Sequence, residues 1–228
     1  MFDWTADDLQ ILRLSLRVAV VATCASVPLA VVIALLLARG RFVGRGLLNA
    51  LIHLPLVLPP VVTGYLLLRL LGRRGPLGAW LDETLGLVFA FRWTGAAIAA
   101  AVIGFPLMVR AIRLSIESVD ARLEEAASTL GAAPFWTLVT VTLPLALPGI
   151  LSGMVLGFAK ALGEFGATIT FVSNIPGETQ TLALAIYTLT QSPGGDARVI
   201  RLAALSIVVS LVALVISEAL SRRVTAKR

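Results

Sequence analysis

The chain has 228 residues, of which 58% are apolar and only 14% charged, and its mean hydropathy is +0.94. This composition excludes a soluble domain with a polar surface, because such domains carry about 25% charged residues. The formal net charge of +6 comes from basic residues dispersed among apolar segments, which argues against nucleic-acid binding. We therefore predict a polytopic, all-α integral membrane protein.

Five segments are apolar and long enough to cross a bilayer, which takes about 20 consecutive residues. They leave little chain for anything else, so we expect one transmembrane domain over residues 1–228. The first segment is expected to remain as a span, because the residues before it are acidic rather than basic. A sixth stretch, 182–189, is too short to cross and is expected to be re-entrant or to lie at the surface. The predicted spans are 14–38, 47–71, 94–113, 145–172 and 199–219.

The single cysteine, Cys24, and the single histidine, His53, exclude a disulfide or a histidine–cysteine metal cluster within the chain. Cys24 is expected to fill space in the first span, and His53 to pack near Pro55. We predict no metal site and no catalytic residue. The sequence also lacks the glycine-rich phosphate loop of ATPases, so ATP hydrolysis is not expected in this chain.

Prolines interrupt three of the predicted spans. Each proline removes a backbone donor, and hydrocarbon offers no replacement, so such breaks persist only against protein or water. One interpretation is a bundle of kinked helices; the other is that the second to fourth spans line a path. Under the second interpretation Pro59 and Pro60 are candidates for the path. The interrupting prolines are Pro55, Pro59, Pro60, Pro106, Pro144 and Pro148.

The polar segment at about 117–144 carries helix signals of its own. Asp120 is expected to cap a short helix whose first turns carry acidic residues, and Gly131 followed by Pro134 is expected to end it and start another. Ala126, Ala127 and Gly131 are predicted to form one side with almost no side chains, which would let a partner approach closely.

Glu125, beside that small surface, would offer a charge to a basic partner residue. The alternative is an ordinary amphipathic connector between two membrane helices.

The fourth predicted span contains two ionisable residues, Lys160 and Glu164, at a spacing of four. Both are costly in lipid and must face protein or water. They are expected to form an internal ion pair, to take part in gating or anion passage, or both. Polar groups further along are expected to face an outer vestibule and to let an oxyanion pass without holding it tightly. These polar candidates are Thr168, Thr170, Ser173 and Asn174.

Lys and Arg in short loops favour the cytoplasmic side of a membrane. With the 117–144 loop in the cytoplasm, five spans place the N-terminus outside and the C-terminus inside. The inner side then has ten basic residues and the outer side eight. The clearest contributions come from the loop at 39–45 and from the basic C-terminal tail.

The 117–144 segment resembles the cytoplasmic coupling loop of ABC importer permeases. The shared pattern is Glu125-Ala126-Ala127, three residues, Gly131, nine residues, and then an aliphatic residue, one residue and Leu-Pro. Val141 stands where that family commonly has isoleucine. More narrowly, the chain resembles molybdate ABC transporter permease subunits in the stretches 53–62, 105–113 and, above all, 163–181.

The resemblance implies a type I ABC importer permease fold, with cytoplasmic coupling helices, in the inner membrane. It implies a homodimer whose translocation path lies on the twofold axis. Two separate ATP-binding subunits would dock at the cytoplasmic face and hold the ATP and magnesium, so no cofactor is expected in this chain. A molybdate-binding protein would deliver the anion from outside. The residues implied to couple the ATPase are Glu125, Ala126, Ala127 and Gly131.

Sulfate, thiosulfate or tungstate import by the same architecture stays open, because these oxyanions differ little in shape and charge. A stand-alone ion-coupled carrier would show repeated halves, which the sequence lacks. A scaffold without transport activity would leave the intramembrane Lys160 and Glu164 unexplained.

Overall fold

The structure is a computed structural model that describes residues 5–226, and within this range it contains helices but no β-strand. Between α7 and α8 the backbone forms a π-helical turn, Leu138–Thr142, without interrupting the helix. The helices are α1 (Ala6–Arg39), α2 (Arg45–Val57), α3 (Pro60–Leu71), α4 (Pro76–Leu85), α5 (Trp93–Glu117), α6 (Ala121–Thr129), α7 (Pro134–Thr137), α8 (Leu143–Leu162), α9 (Gly166–Val172), α10 (Leu182–Thr190) and α11 (Asp196–Ala226).

Four helical segments of the described chain are long and apolar enough to cross a membrane: Ala6–Arg39, Trp93–Glu117, Pro134–Leu162 and Asp196–Ile216. The pair α2 and α3 would make a fifth if taken as one span, although the two helices are bent by 112° at Pro59. The predicted count of about five is thus confirmed. The terminal basic residues Lys227 and Arg228 lie outside the described residues.

Two predicted spans differ from the structure in their continuity. The segment 47–71 is sharply bent, because Pro59 and Pro60 lack the N–H groups that would continue α2. The predicted span 145–172 is not one continuous helix. The helix α8 ends at Leu162, three residues follow without helical structure, and α9 begins at Gly166.

The helices α1, α5 and α8 form the centre of the bundle. In the most apolar 18-residue stretch of α5, 61% is buried. Close packing of α8 on α5 depends on three glycines spaced four residues apart, Gly149, Gly153 and Gly157. A Cβ atom on any of them would lie 2.1–3.1 Å from atoms of Ser115, Ile112 or Met108. Small residues at this spacing are typical of membrane helices whose backbones approach closely.

Polar contacts join α1 to different elements at its two ends. Near its start, Arg198 Nε donates a hydrogen bond of 2.8 Å to Oδ1 of the buried Asp8, which joins α1 to α11. At its end, Arg39 Nη2 donates to Glu124 Oε1 at 3.0 Å, which joins α1 to α6. The short helix α6 and the beginning of α11 therefore lie at opposite ends of α1.

The predicted short segment at 182–189 is α10, whose nine residues span only about 14 Å. Leu182, Leu184 and Ala185 are buried. The backbone N–H of Leu182 donates to Oγ of the buried Ser15 in α1 at 2.7 Å. The helix is thus held against the bundle and is too short to cross the hydrocarbon core.

Replacing Ser15 with alanine is expected to lower the free energy of unfolding by about 1–3 kcal/mol, because the buried Leu182 N–H loses its acceptor. Ser26→Ala is the matched control, since Ser26 is also buried in α1 but bonds only the Ala22 carbonyl of its own helix. Thermal unfolding in detergent compares the two. Equal melting temperatures for both variants would contradict the prediction.

Candidate functional site

Two interruptions of the helices lie against each other, although Pro59, Pro60 and Gly163 are exposed. The first is at Pro59 and Pro60, between α2 and α3, and the second is at 163–165, between α8 and α9. A Cβ atom built on Gly166 would lie 2.9 Å from Pro60 Cβ, and one on Gly64 would lie 2.5 Å from the Ala167 carbonyl oxygen. Non-helical backbone at membrane depth is tolerated where it is enclosed by protein or lines a water-filled cavity.

Glu164 lies in the second interruption and is almost fully buried, with 3% of the residue exposed. Its Oε2 is 3.3 Å from Nζ of Lys160, so the predicted i, i+4 pair is present although the helix has ended. Its Oε1 accepts a hydrogen bond of 2.9 Å from the Ala167 N–H in the first turn of α9. The carboxylate thus bridges the end of α8 and the beginning of α9, a role that the sequence did not predict.

Of the four polar candidates beyond Glu164, three are buried or hydrogen-bonded within the chain. Thr168 is buried, the Thr170 hydroxyl donates to the Gly166 carbonyl at 2.9 Å, and Asn174 Nδ2 donates to the Thr188 hydroxyl. Only Ser173 is exposed. We had expected all four side chains to present donors to an outer vestibule. In this single chain they do not.

Ser173 ends α9 with a φ of +64°, which is unusual for a residue other than glycine. The Thr179 hydroxyl donates to the Ser173 carbonyl at 3.1 Å and accepts from the Ile175 N–H at 2.9 Å. Thr179 is fully buried. This side chain, which the sequence analysis missed, holds the loop after α9 in shape.

A polar atom near the interruptions has no partner among the described residues. Thr63 is buried in α3, beside Gly64, and its hydroxyl makes no hydrogen bond there. A buried hydroxyl left unpaired costs about 1–3 kcal/mol. Thr63 was not singled out from the sequence, because a threonine in an apolar helix gives no distinctive signal.

The 117–144 loop contains the predicted pair of short helices. The Asp120 side chain accepts from the Arg122 N–H at 3.0 Å, Gly131 follows the helix with a φ of +86°, and Pro134 starts α7. The N–H of Gly131 bonds the Ser128 carbonyl and that of Ala132 bonds the Ala127 carbonyl. These bonds complete the helix end that a left-handed glycine typically forms.

Gly131 therefore lies beyond the end of α6. The spacing had predicted that it shares one side of the helix with Ala126 and Ala127, and in the structure it does not. The exposed surface of the loop combines polar residues with several large apolar side chains. Glu125 is exposed there and makes no hydrogen bond or ion pair with the described residues. The large exposed apolar side chains are Leu123, Leu130, Phe135, Trp136 and Val139.

Glu124 is the residue of this loop that sequence reasoning missed. Its Oε1 accepts from Arg39 Nη2 at 3.0 Å and from the Thr142 hydroxyl at 2.8 Å. Arg39 also donates to the carbonyl of Ile116 and to that of Val119. Glu124 thus connects α6 to the end of α1 and to the π-helical turn.

Among residues 5–226, no group of three His, Cys, Asp or Glu side chains could hold a metal ion. Cys24 is exposed on α1 rather than buried as a space-filling residue. His53 Nδ1 is 2.9 Å from the Asn49 carbonyl oxygen, so this ring nitrogen is satisfied within α2.

Comparison with known proteins places this architecture in a family. Residues 26–226 match the family described as "Binding-protein-dependent transport system inner membrane component". The chain is 56% identical to the molybdenum transport system permease protein ModB of Escherichia coli (strain K12), covering 96% of this chain and 95% of that protein. It is 54% identical to the protein of the same name from Haemophilus influenzae, covering 96% of each chain.

A crystal structure of a bacterial alginate ABC transporter, in complex with a periplasmic protein bound to an alginate pentasaccharide, has the same fold. The TM-score is 0.76 at 18% sequence identity, and the alignment covers 97% of this chain and 80% of that one. Proteins of this family are membrane-embedded permease subunits rather than enzymes. The chain belongs to the family of binding-protein-dependent transport system inner membrane components, the permeases of ABC transporters.

Proposed function

We propose that this chain is the permease subunit of an ATP-driven importer of molybdate. The observation that carries the proposal is its identity of 54–56%, along 96% of its length, to two molybdenum transport permeases. Tungstate and sulfate are the competing substrates, because tetrahedral dianions of similar size make similar demands on a pore.

The translocation path, in this proposal, runs beside the two interruptions that face each other. Pro59, Pro60, Lys160, Glu164 and the polar residues of α9 remain its candidate residues. Glu164 would keep the junction between α8 and α9 in one arrangement until α8 moves. A second copy of the chain would supply the other half of the path and would complete the surroundings of Ser173, which is exposed here.

The 117–144 loop is proposed to be the surface that contacts a separate ATP-binding subunit, which would hold the ATP and magnesium. Support comes from its apolar side chains outside the membrane-spanning segments, since Leu130 is 88% and Leu123 48% exposed, beyond what an isolated loop in water favours. Glu125, Ala126 and Ala127 lie on α6, in the same loop. In this proposal the loop lies in the cytoplasm, and the start of α1 and an anion-binding protein lie on the outer side.

Substrate identity can be tested by uptake of radiolabelled molybdate in cells that lack their own molybdate permease but retain the partner subunits. The proposal expects uptake that depends on this chain and that is competed by unlabelled molybdate more effectively than by sulfate. Equal competition by the two anions would point to a general oxyanion importer. Accumulation of labelled sulfate without accumulation of molybdate would contradict the proposal.

Replacing Gly131 with tryptophan is expected to separate transport from ATP hydrolysis. The residue has a φ of +86°, which costs an L residue roughly 1 kcal/mol, and the bulky ring would lie beside the proposed contact with the ATPase. Uptake should fall several-fold while the purified complex still hydrolyses ATP.

Gly131→Asn is the control for the backbone effect, because asparagine tolerates the left-handed conformation and adds little bulk. It should retain most of the uptake. If the tryptophan variant transports normally, the loop does not lie at the proposed interface.

A further inference from the structure

A cavity of about 290 Å³ lies between α2 and α5, at the end of the bundle that carries the 117–144 loop. It is separate from the helix interruptions and was not predicted from the sequence. Its lining combines three basic or potentially basic side chains with one amide, one carboxylate and one leucine. The lining residues are Asn49, His53, Arg110, Arg113, Leu114 and Glu117.

The one carboxylate of the cavity is already neutralised. Arg113 Nε donates to Glu117 Oε1 at 2.7 Å, and Arg45 Nη2 lies 4.0 Å from the same oxygen. Arg113 Nη1 also donates to Asn49 Oδ1 at 3.1 Å, which fixes its guanidinium between the two helices. Glu117 therefore cannot compensate a further positive charge.

Arg110 is that further charge. It lies three residues before Arg113, hence on the same side of α5. It is exposed and makes no hydrogen bond or ion pair with the described residues. All five N–H donors of its guanidinium are available to a ligand.

His53 adds a polar atom to the lining. Its Nδ1 lies 2.9 Å from the Asn49 carbonyl oxygen. Because a carbonyl oxygen can only accept, Nδ1 carries the hydrogen, and Nε2 is the ring nitrogen that remains for another contact.

The opposite side of α5 is closed by α1. Val109, Ile112 and Ile116 are buried there against Ala30, Ala34 and Leu37. The cavity therefore opens on the side of α5 that faces away from α1. Leu114, on this side, is 58% exposed.

We propose that this cavity binds a tetrahedral oxyanion. A guanidinium presents paired N–H donors that match the oxygens of such an anion, and the net charge of the lining is positive. Two sources share this chemistry: the transported anion on its way out of the path, and the phosphate headgroup of a lipid in the adjoining leaflet. The first source rests on the function proposed above, and the second does not.

The test uses the complete permease with its ATP-binding partner in nanodiscs of phosphatidylcholine, carrying Cys24→Ala to remove the native thiol. Leu114→Cys then reports on the cavity through its rate of reaction with an uncharged maleimide. Leu47→Cys is the matched control, since Leu47 is 66% exposed on α2 and does not line the cavity.

Millimolar sodium molybdate, with sodium sulfate and sodium chloride in parallel, is added before labelling. The transported-anion source predicts that molybdate slows the Leu114→Cys reaction by about threefold or more, because an anion held at Arg110 blocks the approach. The Leu47→Cys reaction should not change. Arg110→Gln, at an exposed residue without partners, should abolish the protection while the complex stays monodisperse.

A second set of nanodiscs contains phosphatidylglycerol. Protection in these discs alone, again lost in Arg110→Gln, would assign the cavity to the headgroup of an anionic lipid and would stand even if molybdate uptake failed. The proposal is overturned if neither anion nor anionic lipid slows the reaction, if both cysteines are slowed equally, or if Arg110→Gln leaves the protection intact.

Discussion

Uptake of molybdate is expected to fall by roughly tenfold or more when Glu164 is replaced by leucine. Breaking a buried ion pair costs about 3–5 kcal/mol, and this cost is reduced here because the Lys160 side chain is 34% exposed. The loss is not only electrostatic. The Ala167 N–H also loses the acceptor that fixes the beginning of α9.

Two variants separate these contributions. Glu164→Gln keeps an oxygen for the Ala167 N–H but removes the charge, so it should lose less uptake than the leucine variant. Glu178→Leu is the matched control, because Glu178 is exposed in the loop after α9. Radiolabelled uptake normalised to membrane expression is the measurement. If Glu164→Leu and Glu178→Leu are equally harmless, the bridge between α8 and α9 has no part in transport.

The second large effect is expected at Gly64, where even alanine should disrupt the contact between the two interrupted segments. Its Cβ atom would lie 2.5 Å from the Ala167 carbonyl oxygen and 2.9 Å from Ala167 Cα, both on the backbone. Backbone atoms cannot rotate away as a flexible side chain can, so α3 and α9 must separate. Such overpacking costs about 1–3 kcal/mol, and we expect a lower melting temperature together with roughly tenfold less uptake.

Gly46→Ala is the control for this substitution. Gly46 also lies in a helix, the first turn of α2, but a Cβ atom there would meet nothing within 4 Å. The control should be neutral or slightly stabilising, since alanine favours helix more than glycine does. Comparable losses for both variants would mean that helix propensity, rather than the contact at Ala167, determines the outcome.

The features predicted correctly from the sequence are those determined by nearby residues. The number of apolar segments depends only on composition, and the end of α6 depends on Gly131 and on carbonyl groups a few residues away. The Lys160–Glu164 pair has a spacing of four and needs no distant contact. Local chemistry was sufficient in each of these cases.

The features that were missed depend on residues far apart in the chain. Apart from Lys160 and Glu164, the segment 145–172 is largely apolar on both sides of the break, so its hydropathy does not indicate that α8 ends at Leu162. The interruption is stabilised by Pro60 and Gly64, about 100 residues earlier. The contact of Glu124 with Arg39 joins residues 85 positions apart. One missed feature did have a signal in the sequence. The four-residue spacing of Gly149, Gly153 and Gly157 could have predicted the close packing of α8 on another helix.

The π-helical turn allows α7 and α8 to continue as one 29-residue helical segment, Pro134–Leu162, from the 117–144 loop to the interruption at 163–165. A segment of this length measures about 43 Å and behaves as a lever arm. A tilt of about 5° imposed at Pro134 would therefore displace the far end by roughly 4 Å, given that length. Glu164 lies just beyond the end of this segment, so wherever α9 stays in place a displacement of that size would move Lys160 by more than its present distance of 3.3 Å from the Glu164 carboxylate.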